Sequence, residues 1–405
     1  MSFRSIPKIL QLFFSEKEWV PHFTSIINWS LRLGLSLLKA VSPIDEPWLA
    51  IIDHSISFGT KKVFVVLRVK FSILKNRGSA ITFEDCECIG VKVSEVCKGE
   101  NVANDLAEIF SKSGIPVAVL KDGGGELKKG VDLLNENHGH KIESIDDVGH
   151  VCANLLKGEF AKESIFSKFL DLVNNFSSQF RQTKFAFLIP PKLRGQGRYQ
   201  GILRLTEWAN RIENFLSNTN DEEEYQKVHS FLSSLPFFKK IISDFINAVE
   251  GSSKILKILK NDGLCHTTWK KILPMFSNIK NEKIRNDLLD WGEKQLVVYE
   301  RINLLNYSML VSSDIIESLF GKFKHIQSRS SIHDMTKIVL LIPSLCGSIP
   351  PELFSIFLKE TTLKEVEEWD YTNIAYTLGE RKRRFIYENT KKTGQETGEF
   401  YSVAA

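Results

Sequence analysis

The sequence contains no apolar run long enough to cross a membrane. None of its 405 residues lies in a stretch approaching the roughly 18 uninterrupted apolar residues that a membrane helix needs. The run from Leu31 to Val41 includes Arg32, Gly34 and Lys39, which fits an amphipathic helix better. The start, MSFRSIPKILQLFF, also lacks the apolar core and cleavage site of a secretion signal. We therefore expect no membrane insertion and no secretion, and predict a cytoplasmic protein.

Cysteine is scarce and badly spaced for metal or disulfide chemistry. The sequence has six cysteines, of which only Cys86 and Cys88 are close neighbours, with no second pair at zinc-finger spacing. We interpret them as reduced thiols. No internal repeat with a period of about 20 to 50 residues is evident in the chain.

The composition is that of a folded protein with room for several domains. Hydrophobic residues make up 43% and charged residues 25%, so we expect a large core and not global disorder. The formal net charge of +4 suits contact with a polyanion without requiring it.

Strands and helices alternate between residues 46 and 157. Five segments have the β-branched or alternating composition of strands: Trp48 to Asp53, Lys62 to Lys70, Cys88 to Ser94, Ile115 to Leu120 and His140 to Ile145. Helical patterns separate the last three of these, and strands joined through helices favour parallel pairing. The order predicts an α/β fold with a mixed five-stranded sheet flanked by helices.

Helical periodicity dominates the rest of the chain. Residues 1–45 form a helical N-terminal region whose main helix fits either the recognition half of a helix-turn-helix or a helix that packs on the next domain. Residues 158–307 are predicted to be an α-helical insertion, in which only Lys184 to Ile189 has strand-like composition. Residues 308–345 complete the α/β core, and residues 346–405 form a helical region with a polar tail.

Three acids stand at positions where a shared site can form. Asp53 closes the first strand and Asp122 follows the fourth, so both carboxylates leave the same edge of the sheet if those strands are neighbours. Glu317 lies in SSDIIESLFGKFKH, where the apolar residues share one helix face and Glu317 lies on another. Taken singly, an acid at a strand end such as Asp53 is more often a turn former or helix cap than a ligand, while Asp122 is also explained as a turn residue and Glu317 as a solvated helix residue.

Four segments, in this order, resemble the DDE transposases of bacterial insertion-sequence type. The segments are IIDHS, with Asp53; AVLKDGGGELKKGV, with Asp122 and a glycine run; DDVGH, with Asp147 and His150; and DIIESLFGKFK, with Glu317. The resemblance covers about residues 45 to 330. It implies a ribonuclease-H-like catalytic domain interrupted by the helical insertion.

The resemblance also implies a chemistry. Asp53, Asp122 and Glu317 would be the catalytic residues and would ligate two Mg²⁺ (or Mn²⁺) ions, which in such sites lie about 4 Å apart. Asp147 and His150 would support them, His150 by orienting DNA or a carboxylate. Asp147 is equally explained as a helix cap, and His150 as a packing histidine.

The implied reaction is DNA transposition. Metal-bound water cleaves at the transposon end, and the freed 3′-hydroxyl attacks target DNA. The implied partners are transposon ends and target DNA, bound by a homodimer, which would associate the protein with the nucleoid. Two other functions stay open: a DNA-binding protein that keeps the fold without catalysis, and a nuclease with no joining activity.

Two sets of cations are candidates for phosphate contacts. A glycine-rich basic segment carries Lys192, Arg194, Arg198 and Arg204, and is alternatively a solvated linker. Lys322 and Lys324 follow Glu317 closely and are predicted to hold a phosphate near the metal ions.

Overall fold

The structure is a computed structural model, and it describes most of the chain. The described residues are 2–14, 19–54, 61–191, 204, 207–208, 211–212, 235–302, 307–327 and 334–392. Within these ranges, every helix is too short or too polar to span a membrane.

One five-stranded sheet forms the centre of the fold. Its strands are β1 Trp48–His54, β2 Lys62–Lys70, β3 Glu87–Ser94, β4 Ala118–Lys121 and β5 Glu143–Asp146. They lie in the order β3-β2-β1-β4-β5. The first three pair antiparallel, while β4 is parallel to β1 and β5 is parallel to β4. This is the ribonuclease-H-like arrangement, and the predicted mixed sheet is confirmed.

The helices are numbered here in chain order over the described residues. They are α1 Ile6–Leu10, α2 Phe23–Lys39, α3 Phe71–Arg77, α4 Gly99–Ser113, α5 Gly125–His138, α6 Val148–Phe160, α7 Ser164–Phe180, α8 Leu235–Asp262, α9 His266–Ile272, α10 Glu282–Ile302, α11 Asp314–Gln327, α12 Leu341–Ser344, α13 Pro351–Glu360, α14 Leu363–Asn373 and α15 Leu378–Lys392.

The two faces of the sheet are covered by different helices, because successive side chains of a strand point to opposite sides. In β1, Ala50 and Ile52 join a core with apolar residues of α4 and α5. Leu49 and Ile51 join a larger core that continues through α6, α7, α8 and α11. The result is a three-layered α/β core.

The helical insertion extends the larger of these two cores. α8 packs against α6 and α7, and α10 packs against α6 and β5. An isolated bridge between Leu264 and Met309 then brings the chain back to the sheet, where α11 packs on β1. The fold is therefore a ribonuclease-H-like domain interrupted by an α-helical insertion, as predicted.

The N-terminal helix α2 packs against the C-terminal part of the chain. Leu31 and Leu35 share a small core with Leu340, Leu341 and Val366. The Arg32 guanidinium donates to the carbonyl oxygen of Thr361 at 2.6 Å. The apolar face of α2 is thus used for internal packing.

The contact of α2 with the C-terminal part depends on a glycine. A Cβ atom on Gly34 would lie 1.6 Å from the carbonyl oxygen of Leu340, so Gly34→Ala forces the two backbones apart. We expect it to lower the free energy of unfolding by on the order of 1–3 kcal/mol, measured by urea unfolding. Gly158→Ala is the control, since nothing lies within 4 Å of its added methyl group and alanine favours a helix by about 0.5–1 kcal/mol. Equal stability of the two variants would contradict the close approach.

Candidate active site

Three aspartates emerge at the same edge of the sheet. The parallel register pairs Ile52 with Lys121 and Lys121 with Asp146. The residues that follow these three are Asp53, Asp122 and Asp147, so each lies one step further along neighbouring strands. Carboxyl ends of parallel strands at such an edge are where ligands of open α/β sheets bind.

Asp53 is the carboxylate that β1 contributes to this edge. Its Oδ1 atom accepts a hydrogen bond from the backbone N–H of His54 at 2.6 Å. Burial raises the pKa of Asp53 to about 8, the negative charges of Asp122 and Glu317 raise it as well, and the positive charge of His150 opposes them. Asp53 therefore interacts electrostatically with the other two predicted acids, which are remote from it in sequence.

Asp122 is held by a turn between β4 and α5. Its Oδ1 atom accepts from the backbone N–H of Gly124 at 2.8 Å, an Asx turn that orients the carboxylate. A Cβ on Gly124 would come 2.8 Å from that oxygen and 3.6 Å from the side-chain carboxyl carbon of Glu126. The glycine run leaves space for two neighbouring carboxylates.

Asp147 caps α6 and connects it to α11. Oδ1 accepts from the backbone N–H of His150 at 2.6 Å and lies 3.2 Å from His150 Nδ1. Oδ2 accepts from the N–H and the hydroxyl of Ser313, at 2.5 and 2.9 Å. Burial by itself raises the pKa of Asp147, but the hydrogen bonds and positive charge of His150 and the N–H of Ser313 lower it below its usual range.

His150 bridges this cap to Glu317. Its Nε2 atom lies 3.5 Å from Glu317 Oε1. Burial lowers the pKa of His150, but the hydrogen bond to Asp147 and the charges of Asp147, Glu317 and Asp122 raise it to about 9. An imidazolium at this position offsets part of the negative charge at the sheet edge.

Glu317 reaches the site because α11 packs on the sheet through its opposite side. Ile316, Leu319 and Phe320 are buried, whereas the Glu317 side chain is 22% exposed. The N–H of Val148 also donates to the carbonyl oxygen of Val311 at 2.9 Å, which fixes the start of α6 beside the approach to α11. The structure thus brings Glu317 to the group formed by Asp53, Asp122 and His150.

The donors at this site have the right chemistry for a divalent cation of the Mg²⁺ or Mn²⁺ kind, which prefers carboxylate oxygens. The negative charges of Asp122 and Glu317 disfavour the charged form of Asp53, and a cation bound beside Asp53 would favour that form. Over the described ranges, however, no group of three or more His, Cys, Asp and Glu side chains is already spaced to hold a metal ion. The three acids fit a divalent cation by their charge and donor type. The Glu317 carboxylate is directed to His150.

The predicted phosphate-binding cations are distributed differently. Lys192, Arg194 and Arg198 lie outside the described residues, and Arg204 is an exposed helical residue. The Lys322 ammonium lies 3.7 Å from the ring centroid of Phe83, and positions i and i+5 of a helix point to different sides, so it is not brought beside Glu317. Lys324 shares the side of α11 that carries Glu317.

Sequence patterns did not reveal three residues at or near this site. Ser313 contributes two hydrogen bonds to Asp147. Glu126 lies in the first turn of α5, beside Asp122. Lys260 comes from the helical insertion and pairs with Asp314, which no local pattern could indicate.

The fold is ribonuclease-H-like, and the acidic sheet edge is a candidate carboxylate active site. No family model matches the sequence, and no curated protein matches it either. Among solved structures, the chain is similar to one described as the Drosophila P element transposase strand transfer complex, with 10% sequence identity, 84% of this chain and 94% of that chain covered, and a TM-score of 0.39.

Proposed function

We propose that this protein is a DDE-type DNA transposase that cleaves phosphodiester bonds at transposon ends and transfers the 3′-hydroxyl into target DNA. Its catalytic residues are Asp53, Asp122 and Glu317. The resemblance of the four motifs to insertion-sequence transposases motivates the assignment, and the geometry of the sheet edge supports it.

One observation carries the proposal. The parallel register of β1 and β4 places Asp53 and Asp122 at neighbouring strand ends, and the charges of Asp122 and of Glu317, on a helix beyond the insertion, both raise the pKa of Asp53. Like charges destabilise one another when they are partly buried. A fold that holds them together carries a cost, which is expected at functional sites.

Asp53, Asp122 and Glu317 would hold the two Mg²⁺ or Mn²⁺ ions. When bound, such ions activate the attacking oxygen and stabilise the leaving oxygen of a phosphodiester. The backbone N–H groups of His54 and Gly124 orient the first two carboxylates. Asp147 fixes the ring of His150, and His150 in turn positions Glu317.

His150 is therefore a positioning residue. We expect His150→Ala to lower the rate of metal-dependent cleavage by about 10- to 100-fold, the usual effect of losing a residue that orients a metal ligand. The rate is measured in single turnover at saturating Mn²⁺. A packing role alone predicts lower thermal stability with an unchanged rate, so that result would contradict the positioning role.

The test of the function uses labelled duplexes that carry the DNA flanking the coding sequence of this protein, incubated with supercoiled target plasmid and Mg²⁺ or Mn²⁺. A transposase yields cleaved ends and then joined products. Cleaved ends without joined products would identify a nuclease, and binding without cleavage would identify an inactive DNA-binding protein. Crosslinking on the same duplexes tests the proposed homodimer.

A further inference from the structure

The helical insertion brings a cation to the edge of the candidate active site. Lys260, near the end of α8, donates two hydrogen bonds to the carboxylate of Asp314, at 2.8 and 2.7 Å. Asp314 is the first residue of α11 and lies one turn before Glu317, on the same side of that helix. Lys260 thus makes a direct ionic contact between the insertion and the helix that carries Glu317.

The same ammonium also lies beside the start of α6. A Cβ on Gly149 would come 3.5 Å from Lys260 Nζ and 3.1 Å from Asp147 Oδ1. Gly149 has no side chain to fill the space between them. Lys260 therefore stands near the two elements that supply His150 and Glu317.

The geometry points to Lys260 as a phosphate-binding residue for the DNA strand that enters this site, an inference that rests on the proposed function. The positive charge of the ammonium attracts a phosphate at this place, beside the start of α6 that Asp147 caps. A lysine that contacts a phosphodiester there positions the strand beside the carboxylates.

The pairing with Asp314 is compatible with this role. The Lys260 side chain is 25% exposed and that of Asp314 is 54% exposed, and ion pairs in such surroundings contribute only about 0–1 kcal/mol. Within the described part of the chain, both hydrogen bonds that Lys260 donates go to Asp314, and an ammonium has a third donor. Asp314 holds Lys260 in place, and a phosphate can join or displace it.

Two substitutions separate DNA contact from structural pairing. Lys260→Gln removes the cation, while Asp314→Asn removes only its partner. We measure the affinity for a labelled duplex in Ca²⁺, which allows binding without cleavage, over a range of salt concentrations. We expect Lys260→Gln to weaken binding about 10-fold and to reduce the slope of log affinity against log salt by about 0.9, the value for one phosphate contact.

The matched variants complete the test. Asp314→Asn frees Lys260 and should bind DNA at least as tightly as wild type, and Lys260→Arg should keep the wild-type slope. Lys254→Gln, an exposed lysine earlier on α8, controls for loss of charge. The inference is overturned if Lys260→Gln leaves the slope unchanged, or if Asp314→Asn weakens binding equally. The proposed function can fail separately. If Lys260→Gln shows the expected change of slope but the wild-type protein never cuts DNA with Mg²⁺, the proposed function is refuted and the phosphate contact is retained.

Discussion

Asp122→Asn will reduce metal-dependent cleavage by about 1,000-fold or more, because a carboxylate ligand contributes several kcal/mol to charge stabilisation in a metal-assisted phosphoryl transfer. Asparagine keeps an oxygen that can accept from the N–H of Gly124, so the turn is retained. The same loss is expected for Asp53→Asn and Glu317→Gln. The measurement is single-turnover cleavage of a labelled duplex, with circular dichroism to verify folding.

Asp53→Asn is also expected to change thermal stability, which should rise while the cleavage activity falls. Burial and the charges of neighbouring acids disfavour the Asp53 carboxylate, and asparagine removes that charge. We expect this variant to unfold at a higher temperature than wild type when divalent cations are chelated. A residue whose loss stabilises the fold and abolishes activity is one retained for function.

Asp132→Asn is the matched control. Asp132 is an exposed acid of α5, and the same change there should alter neither cleavage nor stability. Wild-type cleavage by any one of the three site variants would remove that residue from the catalytic group. Equal loss in the Asp132 variant would show that general surface charge, and not the site, is being measured.

Much of the sheet was predictable because strand signals are local. The bounds predicted for β2, Lys62 to Lys70, are those observed. For β4 the prediction began at Ile115, whereas the strand spans Ala118–Lys121. Pro116 has no N–H for a ladder, and the first backbone bond of this segment is from Val117 N–H to the carbonyl oxygen of Trp48.

The observed start of β5 also differs from the predicted one, for a different reason. The prediction began at His140, and the strand spans Glu143–Asp146. The side chain of Asn135 in α5 accepts from the N–H of Ile142 and donates to its carbonyl oxygen. Those bonds occupy the backbone that would otherwise extend the strand.

The strand-like segment Lys184 to Ile189 was wrongly interpreted as a possible strand. It forms a 3₁₀ helix at Ala186–Leu188. Phe185 and Leu188 are both buried, and residues three apart lie on one side of a 3₁₀ turn. Tertiary packing against the aromatic side chains of α7 decided a conformation that composition left ambiguous.

The positions of Asp53 and Asp122 in sequence predicted that both would leave the same edge of the sheet if the first and fourth strands were neighbours, and the parallel pairing of β1 with β4 confirms that adjacency. The supporting contacts could not be predicted in this way. Ser313 lies 166 residues from Asp147 and Lys260 lies 54 residues from Asp314. Such pairings depend on how the insertion packs, which neither periodicity nor motif spacing encodes.

The buried cap at Asp147 yields the largest expected effect on stability. Asp147→Ala removes the acceptor of two Ser313 hydrogen bonds and leaves the His150 imidazolium without its close partner. Breaking a buried ion pair in this way costs about 3–5 kcal/mol, and the 27% exposure of His150 places the expectation near the lower end. Thr362→Ala removes a comparable but exposed cap of α14 and should cost only about 1 kcal/mol.

The pH dependence of the free energy of unfolding tests whether the charge of Asp147 causes this stabilisation. Hydrogen bonds and the positive charge of His150 hold the pKa of folded Asp147 below its usual range, while the unfolded value is about 3.9. The stabilisation is therefore fully present above the unfolded pKa and is lost as pH falls through the lower folded pKa. Urea unfolding of wild type and Asp147→Asn should show a stability gap at pH 7 that narrows steadily below about pH 4. A gap that stays constant into acid would mean that shape and hydrogen bonding, and not the carboxylate charge, connect α6 to α11.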